Sequence, residues 1–238
     1  MKFSLDYTTR WHDTDAERRM RPSALLVYMQ ETSNRHVAST GMSLDELRDQ
    51  KGLAFILSKI RISIIRHLSA FEDITVETFT CPSKGYASVR CFRVLSGEEV
   101  VAEADTTWAL VDIKDKKLCL TEEAGYNLEE EEPLSIDAPT RTRMPKGLEA
   151  EAVGQRRIVY SDLDYNMHMN NTRYPDMLCD FLPLEKIGSI KSMTLSYLRE
   201  AAYDDLLTVE RAEKDGDYYF RTVNQRGETC LEAVVSCR

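Results

Sequence analysis

The sequence contains no Cys-x-x-Cys and no His-x-x-x-His pair, and its six cysteines and four histidines stand apart from one another. That scatter argues against a zinc site and against a disulfide framework, so the cysteines read as small core residues in a reducing compartment. Neither metal nor cofactor is expected. No Gly-rich phosphate loop occurs, and "SGEE" (96–99) reads instead as a hairpin turn. No apolar run approaches the ~20 residues that a membrane-spanning helix needs. The opening stretch "MKFSLDYTTRWHDTD" lacks the apolar core and cleavage site of a secretory signal, which points to a cytoplasmic protein. Positive charge is in short supply: 31 Lys and Arg stand against 40 Asp and Glu, a net charge of −9. That balance argues against a general nucleic-acid binder. What is present is the composition of a globular protein, 238 residues with 42% hydrophobic and 30% charged. The length suits one large domain or two small ones.

Comparison of the chain with itself favours two. "HDTDAERRMRPSALLVYMQE" (12–31) aligns with "SDLDYNMHMNNTRYPDMLCD" (161–180), placing Asp13 and Asp15 on Asp162 and Asp164. Further on, "IRISIIRHLSAFEDITVE" (60–77) aligns without gaps to "MTLSYLREAAYDDLLTVE" (193–210), and a looser pair of hairpins surrounds Gly97 and Gly227. Chance likeness between amphipathic segments is the poorer account of a gap-free match of that length. Each copy reads as a short strand, a D-x-D turn, a helix and several strands. In the first, Pro22 suits an early helical position, and Leu25, Tyr28, Met29 and Thr32 follow helical spacing. In the second, Asn170 or Asn171 suits an N-cap for a helix over 171–181, with Tyr174, Met177, Leu178 and Phe181 on one face. An insert in the first copy carries a capping box, Ser43 with Glu46, and predicts a short extra helix. Alternation marks strands at Ile60, Ile62 and Ile64 and at Met193, Leu195 and Tyr197, and the Gly-containing turns favour antiparallel hairpins. The expected architecture is α+β, twice over, with domains at 1–128 and 150–238. The acidic stretch between them, within 129–149, reads as a solvated connection.

The polar density of 161–171 is the chemical signal. If the segment is extended, Asp164, Asn166 and His168 share one face, with Tyr165, Met167 and Met169 on the other. A carboxylate, an amide and an imidazole then stand before a helix N-terminus, whose free N–H groups could polarise a carbonyl. Taken singly, each of these residues reads first as a turn, cap or surface residue. The first copy has Asp15, Glu17 and Arg19 at the matching positions, so Asn166 and His168 are extra to what the fold requires. Downstream, His67 matches Glu200, which follows an apolar strand and precedes Ala201 and Ala202. A half-buried carboxylate there could act as base or nucleophile; a solvent-facing strand end is an equal reading.

The order D-L-D-x-N-x-H-x-N-N-x-x-Y (162–174), followed by L-R-E (198–200), resembles the acyl-acyl carrier protein thioesterases. "WHDTD" (11–15) and "WALVD" (108–112) extend the likeness to the first half. The resemblance implies two tandem hot-dog domains, each a long helix packed on an antiparallel sheet, and the hydrolysis of fatty acyl-carrier thioesters to end chain elongation. It places the catalytic residues on Asp164, Asn166, His168 and Glu200, and the acyl chain in the first domain. Met20, Leu25, Met29, Phe55 and Ile56 could line that chain, although core packing is the better account of each. Members that have a cysteine just after the Glu contrast with Ala201 here. The implied partner is acyl carrier protein, and a homodimer is compatible with the sequence. An acidic carrier would need a local basic patch, either Arg18, Arg19 and Arg21 or Arg156, Arg157 and Lys191. Two rival readings are a hot-dog thioesterase acting on acyl-coenzyme A and an acyl-binding hot-dog protein without turnover.

Overall fold

A computed structural model describes residues 2–238, so residue 1 of the expected N-terminal domain lies outside the described residues. The chain divides into two compact units, residues 1–58 with 64–136, and residues 59–63 with 137–238. No helix among the described residues is long and apolar enough to cross a membrane.

The first unit begins with β1 (Phe3–Thr8) and a 3-10 turn at Trp11–Asp13, followed by α1 (Pro22–Ser39) and α2 (Leu44–Lys51). Its remaining strands are β2 (Leu53–Ile64), β3 (Asp73–Lys84), β4 (Ala87–Ser96), β5 (Glu99–Asp112) and the short β6 (Lys117–Cys119). Pro22 opens α1, where the absence of its N–H costs nothing. Leu25, Tyr28, Met29, Thr32 and His36 form the buried stripe at helical spacing, and α1 packs on β3. The predicted capping box is formed: Ser43 Oγ accepts the Glu46 N–H at 3.2 Å while Glu46 Oε2 accepts the Ser43 N–H at 2.7 Å. Gly52, left-handed with φ +67°, ends α2. The strands run in the order β1-β3-β4-β5-β2.

The second unit repeats this order. Its strands β7 (Glu151–Arg157), β8 (Ile190–Tyr197), β9 (Leu206–Lys214), β10 (Asp217–Val223) and β11 (Thr229–Cys237) lie as β7-β9-β10-β11-β8. The hairpins turn at Gly97 and Gly227, both left-handed, as the repeat predicts.

The helix of the second copy is shorter than its apolar pattern suggests. Residues Asn171–Arg173 form a 3-10 turn, α3 covers only Tyr174–Cys179, and α4 is a single turn at Leu184–Ile187. Pro183 stops the chain from continuing as one helix. Asn170 is the cap, its Oδ1 accepting the Thr172 N–H at 2.9 Å. At the far end, Arg211 Nη1 of β9 donates to the Phe181 carbonyl at 2.5 Å. The Phe181 ring packs where a side chain on Gly154 would stand, only 2.5 Å from that absent Cβ.

The acidic connection carries no helix and no named strand, but it is not merely solvated. The Glu131 N–H donates to the Thr80 carbonyl at 2.8 Å in the first unit. In the second, Thr194 Oγ1 donates to the Pro139 carbonyl at 2.7 Å and Thr142 Oγ1 to Ser196 Oγ at 2.9 Å.

Candidate active site

The site is built on two adjacent loops of the second unit. After β7, a 3-10 turn at Tyr160–Asp162 is closed by the buried Asp162, whose carboxylate accepts the Val159 N–H at 3.0 Å and Arg156 Nη2 at 2.5 Å. The chain then makes a second tight turn around Asp164. Its Oδ1 accepts the Asn166 N–H at 2.8 Å and the His168 N–H at 3.4 Å, while the Asp164 N–H returns to the His168 carbonyl at 2.9 Å. Met167 at the apex has φ +64°, a left-handed conformation that costs a non-glycine residue about 1–2 kcal/mol.

Residues 164–168 are therefore a turn, and the alternating-face expectation does not hold. Tyr165 and Met167 do not point to an apolar side; they are 71% and 58% exposed, whereas Met169 is buried. Asn166 is exposed on the same turn.

The second loop follows β8. The N–H groups of Leu198 and Arg199 both donate to the Cys230 carbonyl, a bulge that turns the chain into Glu200. Backbone bonds fix the two loops to each other. The Met169 N–H donates to the Ala201 carbonyl at 2.8 Å, His168 bridges Ala202, and the Tyr203 N–H donates to the Met167 carbonyl at 3.3 Å. Ala201 is fully buried beneath this contact. His168 Nε2 consequently stands 3.4 Å from Glu200 Oε2. The His168 side chain is 31% exposed and that of Glu200 59%, so the half-burial expected of Glu200 is not found. An imidazole and a carboxylate at this distance, open to water, can pass a proton between them and activate a water molecule.

The structure thus brings His168 and Glu200 together, holds Asp164 to them through backbone, and exposes Asn166 beside them. Two of the expected donors at the helix N-terminus are taken: Asn170 binds the Thr172 N–H through its side chain and the Arg173 N–H through its carbonyl. Below lies an aromatic floor, Tyr174 edge-on to Tyr197 at 5.4 Å and 84°, with the Tyr197 hydroxyl donating to the Asn171 carbonyl at 2.9 Å. Burial, reinforced by the charges of Cys230, Asp205, Glu200 and Asp164, raises the Tyr174 hydroxyl well above its ordinary range.

Asp205 escaped the sequence reading, although an acid recurs at the matching position, Glu72. Its Oδ2 accepts the Ala202 N–H at 3.0 Å and its Oδ1 accepts Gln225 Nε2 at 2.8 Å, so it anchors the loop that carries Glu200. Burial works against its charge, but these bonds and Arg226 hold its carboxyl below the usual range. Among the basic candidates, Arg19 is bound to Asp15 and Glu17, Arg156 to Asp162 and Arg157 to Asp204. Arg18 instead lies over the exposed Trp11 ring at 5.9 Å.

Comparison with known proteins adds the following. The sequence profile of the acyl-ACP thioesterase N-terminal domain matches residues 1–126, and that of the C-terminal domain matches residues 146–235. A palmitoyl-acyl carrier protein thioesterase of Cuphea hookeriana is 24% identical over 223 residues, 86% of this chain and 53% of that protein. An oleoyl-acyl carrier protein thioesterase of Coriandrum sativum is 23% identical over 202 residues, 75% of this chain and 54% of that protein. The chain spans about half the length of these curated relatives. Among solved structures, an acyl-ACP thioesterase of Bacteroides thetaiotaomicron superposes with a TM-score of 0.90 at 19% identity, covering 100% of this chain and 98% of the other. The 12:0-ACP thioesterase of Umbellularia californica gives 0.88 at 19%, covering 100% and 97%. The fold is that of two tandem hot-dog domains of the α+β class.

Proposed function

The chain belongs to the acyl-ACP thioesterase family, and from that premise we propose that it hydrolyses fatty acyl-acyl carrier protein thioesters to free fatty acid and carrier thiol. The observation that carries this reading is the His168–Glu200 contact at 3.4 Å, held by two bonded loops. Glu200 takes a proton from a water molecule, and the hydroxide adds to the thioester carbonyl. Glu200 passes that proton to His168 across their contact, and the tetrahedral intermediate expels the thiolate, which takes it from His168, so both side chains return to their starting state. The exposed amide of Asn166 is assigned to orient the water or the carbonyl oxygen, because the Thr172 and Arg173 N–H groups are engaged. Asp164 acts through the turn: its carboxylate holds the backbone of Asn166 and His168 in place.

The acyl chain is assigned to the first unit, and Arg18 and Arg21 there are the candidate contacts for an acidic carrier. A cytoplasmic location belongs to the same proposal. The test is turnover of a panel of acyl-carrier thioesters by the wild type, His168→Ala and Glu200→Ala, with palmitoyl-coenzyme A alongside. Full activity in both variants would overturn the site. Faster turnover of the coenzyme A ester than of the palmitoyl carrier would overturn the carrier as acyl donor. No hydrolysis of any ester would leave an acyl-binding protein.

A further inference from the structure

The arginine just before Glu200 does not perform the structural task of its counterpart. In the first unit Arg66, which aligns with Arg199, gives Nη2 to Glu72 at 2.6 Å and Nε to Glu99 at 2.9 Å. Ser96 of the hairpin adds its hydroxyl to Glu72 at 2.7 Å. In the second unit Asp205 stands at the place of Glu72, yet among the described residues no ion pair joins Arg199 to it. The hairpin supplies the cation instead: Arg226, at the place of Ser96, lies 3.2 Å from Asp205 and 3.0 Å from Glu228. Arg199 keeps one long contact, Nη1 to Glu228 Oε1 at 3.5 Å. Its side chain is 59% exposed, against 36% for Arg66.

Two acids thus face two arginines, where the first unit sets Glu72 and Glu99 against Arg66 alone. With Asp205 served by Arg226, the guanidinium of Arg199 is extra to what holds the loop, as Asn166 and His168 are extra to their turn. It is also aimed differently from its neighbour: Glu200 meets His168, while Arg199 turns to the hairpin acid. A thioester on a carrier protein and one on coenzyme A share a phosphopantetheine arm, with sulfur at one end and phosphate at the other. Two amide-linked units separate those ends, so a cation for the phosphate belongs near the reacting carbonyl but off it. Leu198 and Tyr203, both exposed on the same loop, offer apolar surface for the arm between. A guanidinium, charged at every working pH and carrying several N–H groups in one plane, suits phosphate oxygens.

We infer that Arg199 is a substrate-binding residue that receives the phosphate of the pantetheine arm, and that Arg226 has taken over the anchoring of the Glu200 loop. The inference rests on the hydrolase reading and adds to it a contact at the far end of the arm.

Octanoyl-pantetheine and octanoyl-phosphopantetheine differ only in the phosphate, and thiol release from each by the full chain tests the assignment. The phosphorylated ester should show a KM roughly three- to ten-fold lower at equal kcat, an advantage that shrinks as salt is added. Arg199→Gln should erase that advantage through KM rather than kcat, and Arg199→Lys should keep part of it. Arg226→Gln, which loosens the anchor, should lower kcat on both esters alike and keep the preference. A reading without turnover separates this contact from the hydrolase activity. The ³¹P line of phosphopantetheine should broaden on the wild type and on His168→Ala, and stay sharp with Arg199→Gln. If neither ester is hydrolysed while that pattern holds, the hydrolase reading fails and the phosphate contact stands. Equal KM for the two esters, a fall in kcat in Arg199→Gln with the preference intact, or a ³¹P line that Arg199→Gln broadens like the wild type would each overturn the proposal. So would a KM effect confined to the intact carrier thioester, which would set Arg199 against the carrier's own surface.

Discussion

The two D-x-D turns are built on the same bonds and end differently. In the first unit Asp15 Oδ1 accepts the N–H groups of Glu17 and Arg19 at 2.8 and 2.9 Å, as Asp164 does for Asn166 and His168. Arg18 takes the left-handed position of Met167, with φ +65° against +64°. The Met20 N–H donates to the Leu68 carbonyl as the Met169 N–H does to Ala201. The backbone is thus common to both, and only the side chains hung on it diverge. Arg19 turns back onto its own loop, binding Asp15 at 3.2 Å and Glu17 at 3.1 Å. His168 reaches across to Glu200 on the neighbouring loop. One turn spends its polar groups on itself; the other presents them to solvent.

The largest expected effect follows from that divergence. His168→Ala and Glu200→Ala should each lower kcat by roughly 10²- to 10⁴-fold, the range for a lost acid or base. Their thermal midpoints should stay close to wild type, since both side chains are substantially exposed. The matching change in the first unit, Arg19→Ala, should leave kcat within about two-fold and cost less than about 1 kcal/mol in denaturant melts, as partly exposed ion pairs do. A large loss of kcat in Arg19→Ala would break the division of labour between the turns.

Asp15 and Asp164 should behave alike in stability and differ in activity. Each carboxylate satisfies two backbone N–H groups, so either Asp→Ala change should cost about 1–2 kcal/mol by urea denaturation. Asp164→Asn, which keeps an acceptor oxygen, should recover much of that loss. Only the Asp164 variants should lose turnover as well, because their turn carries His168. A stable but inactive Asp164→Ala would instead mark a direct chemical role for this carboxylate.

The anchors of the second loops sharpen the comparison through pH. Burial disfavours the ionised form of Glu72, yet Arg66, the Ser69 N–H and Ser96 outweigh it and depress the carboxyl from 4.5 to about 2. A carboxyl lowered on folding stabilises the native state at pH values above its unfolded pKa. That contribution fades as pH falls from about 4.5 toward 2. Glu72→Gln should flatten the stability profile in that window, read from urea melts at successive pH. Asp205, also lowered, should give the same sign in the second unit. A Glu72→Gln profile as steep as wild type would remove the first-unit anchor from the argument.

These anchors also show where the sequence is legible. The duplicated strand order, the Ser43–Glu46 capping box and the Asn170 cap follow from spacing and local chemistry, which act over a few residues. The turn at 164–168 was hidden because neither Met167 nor Arg18 is a residue type that advertises positive φ. Bonds that span 32 residues from Met169 to Ala201 and 48 from Met20 to Leu68 hold the two turns. Asp205 is recoverable from the sequence, since an acid recurs at position 72 in a gap-free alignment. His168 and Glu200 could be named separately, while their 3.4 Å contact depends on how β8 and the post-β7 turn pair.

The smallest effect tests whether the left-handed residue belongs to the fold or to the chemistry. Glycine at position 167 would relieve about 1–2 kcal/mol of backbone strain, offset by about 0.4–1 kcal/mol of added freedom in the unfolded chain. Met167→Gly should therefore be neutral to slightly stabilising in urea melts, with kcat little changed. Arg18→Gly should gain less, because it also removes the cation over Trp11. If strain at 167 instead serves the reaction, Met167→Gly will lower kcat as it raises stability, and Arg18→Gly, whose turn carries no His–Glu pair, will not lower it. That split would move the left-handed residue from what the two turns share to what separates them.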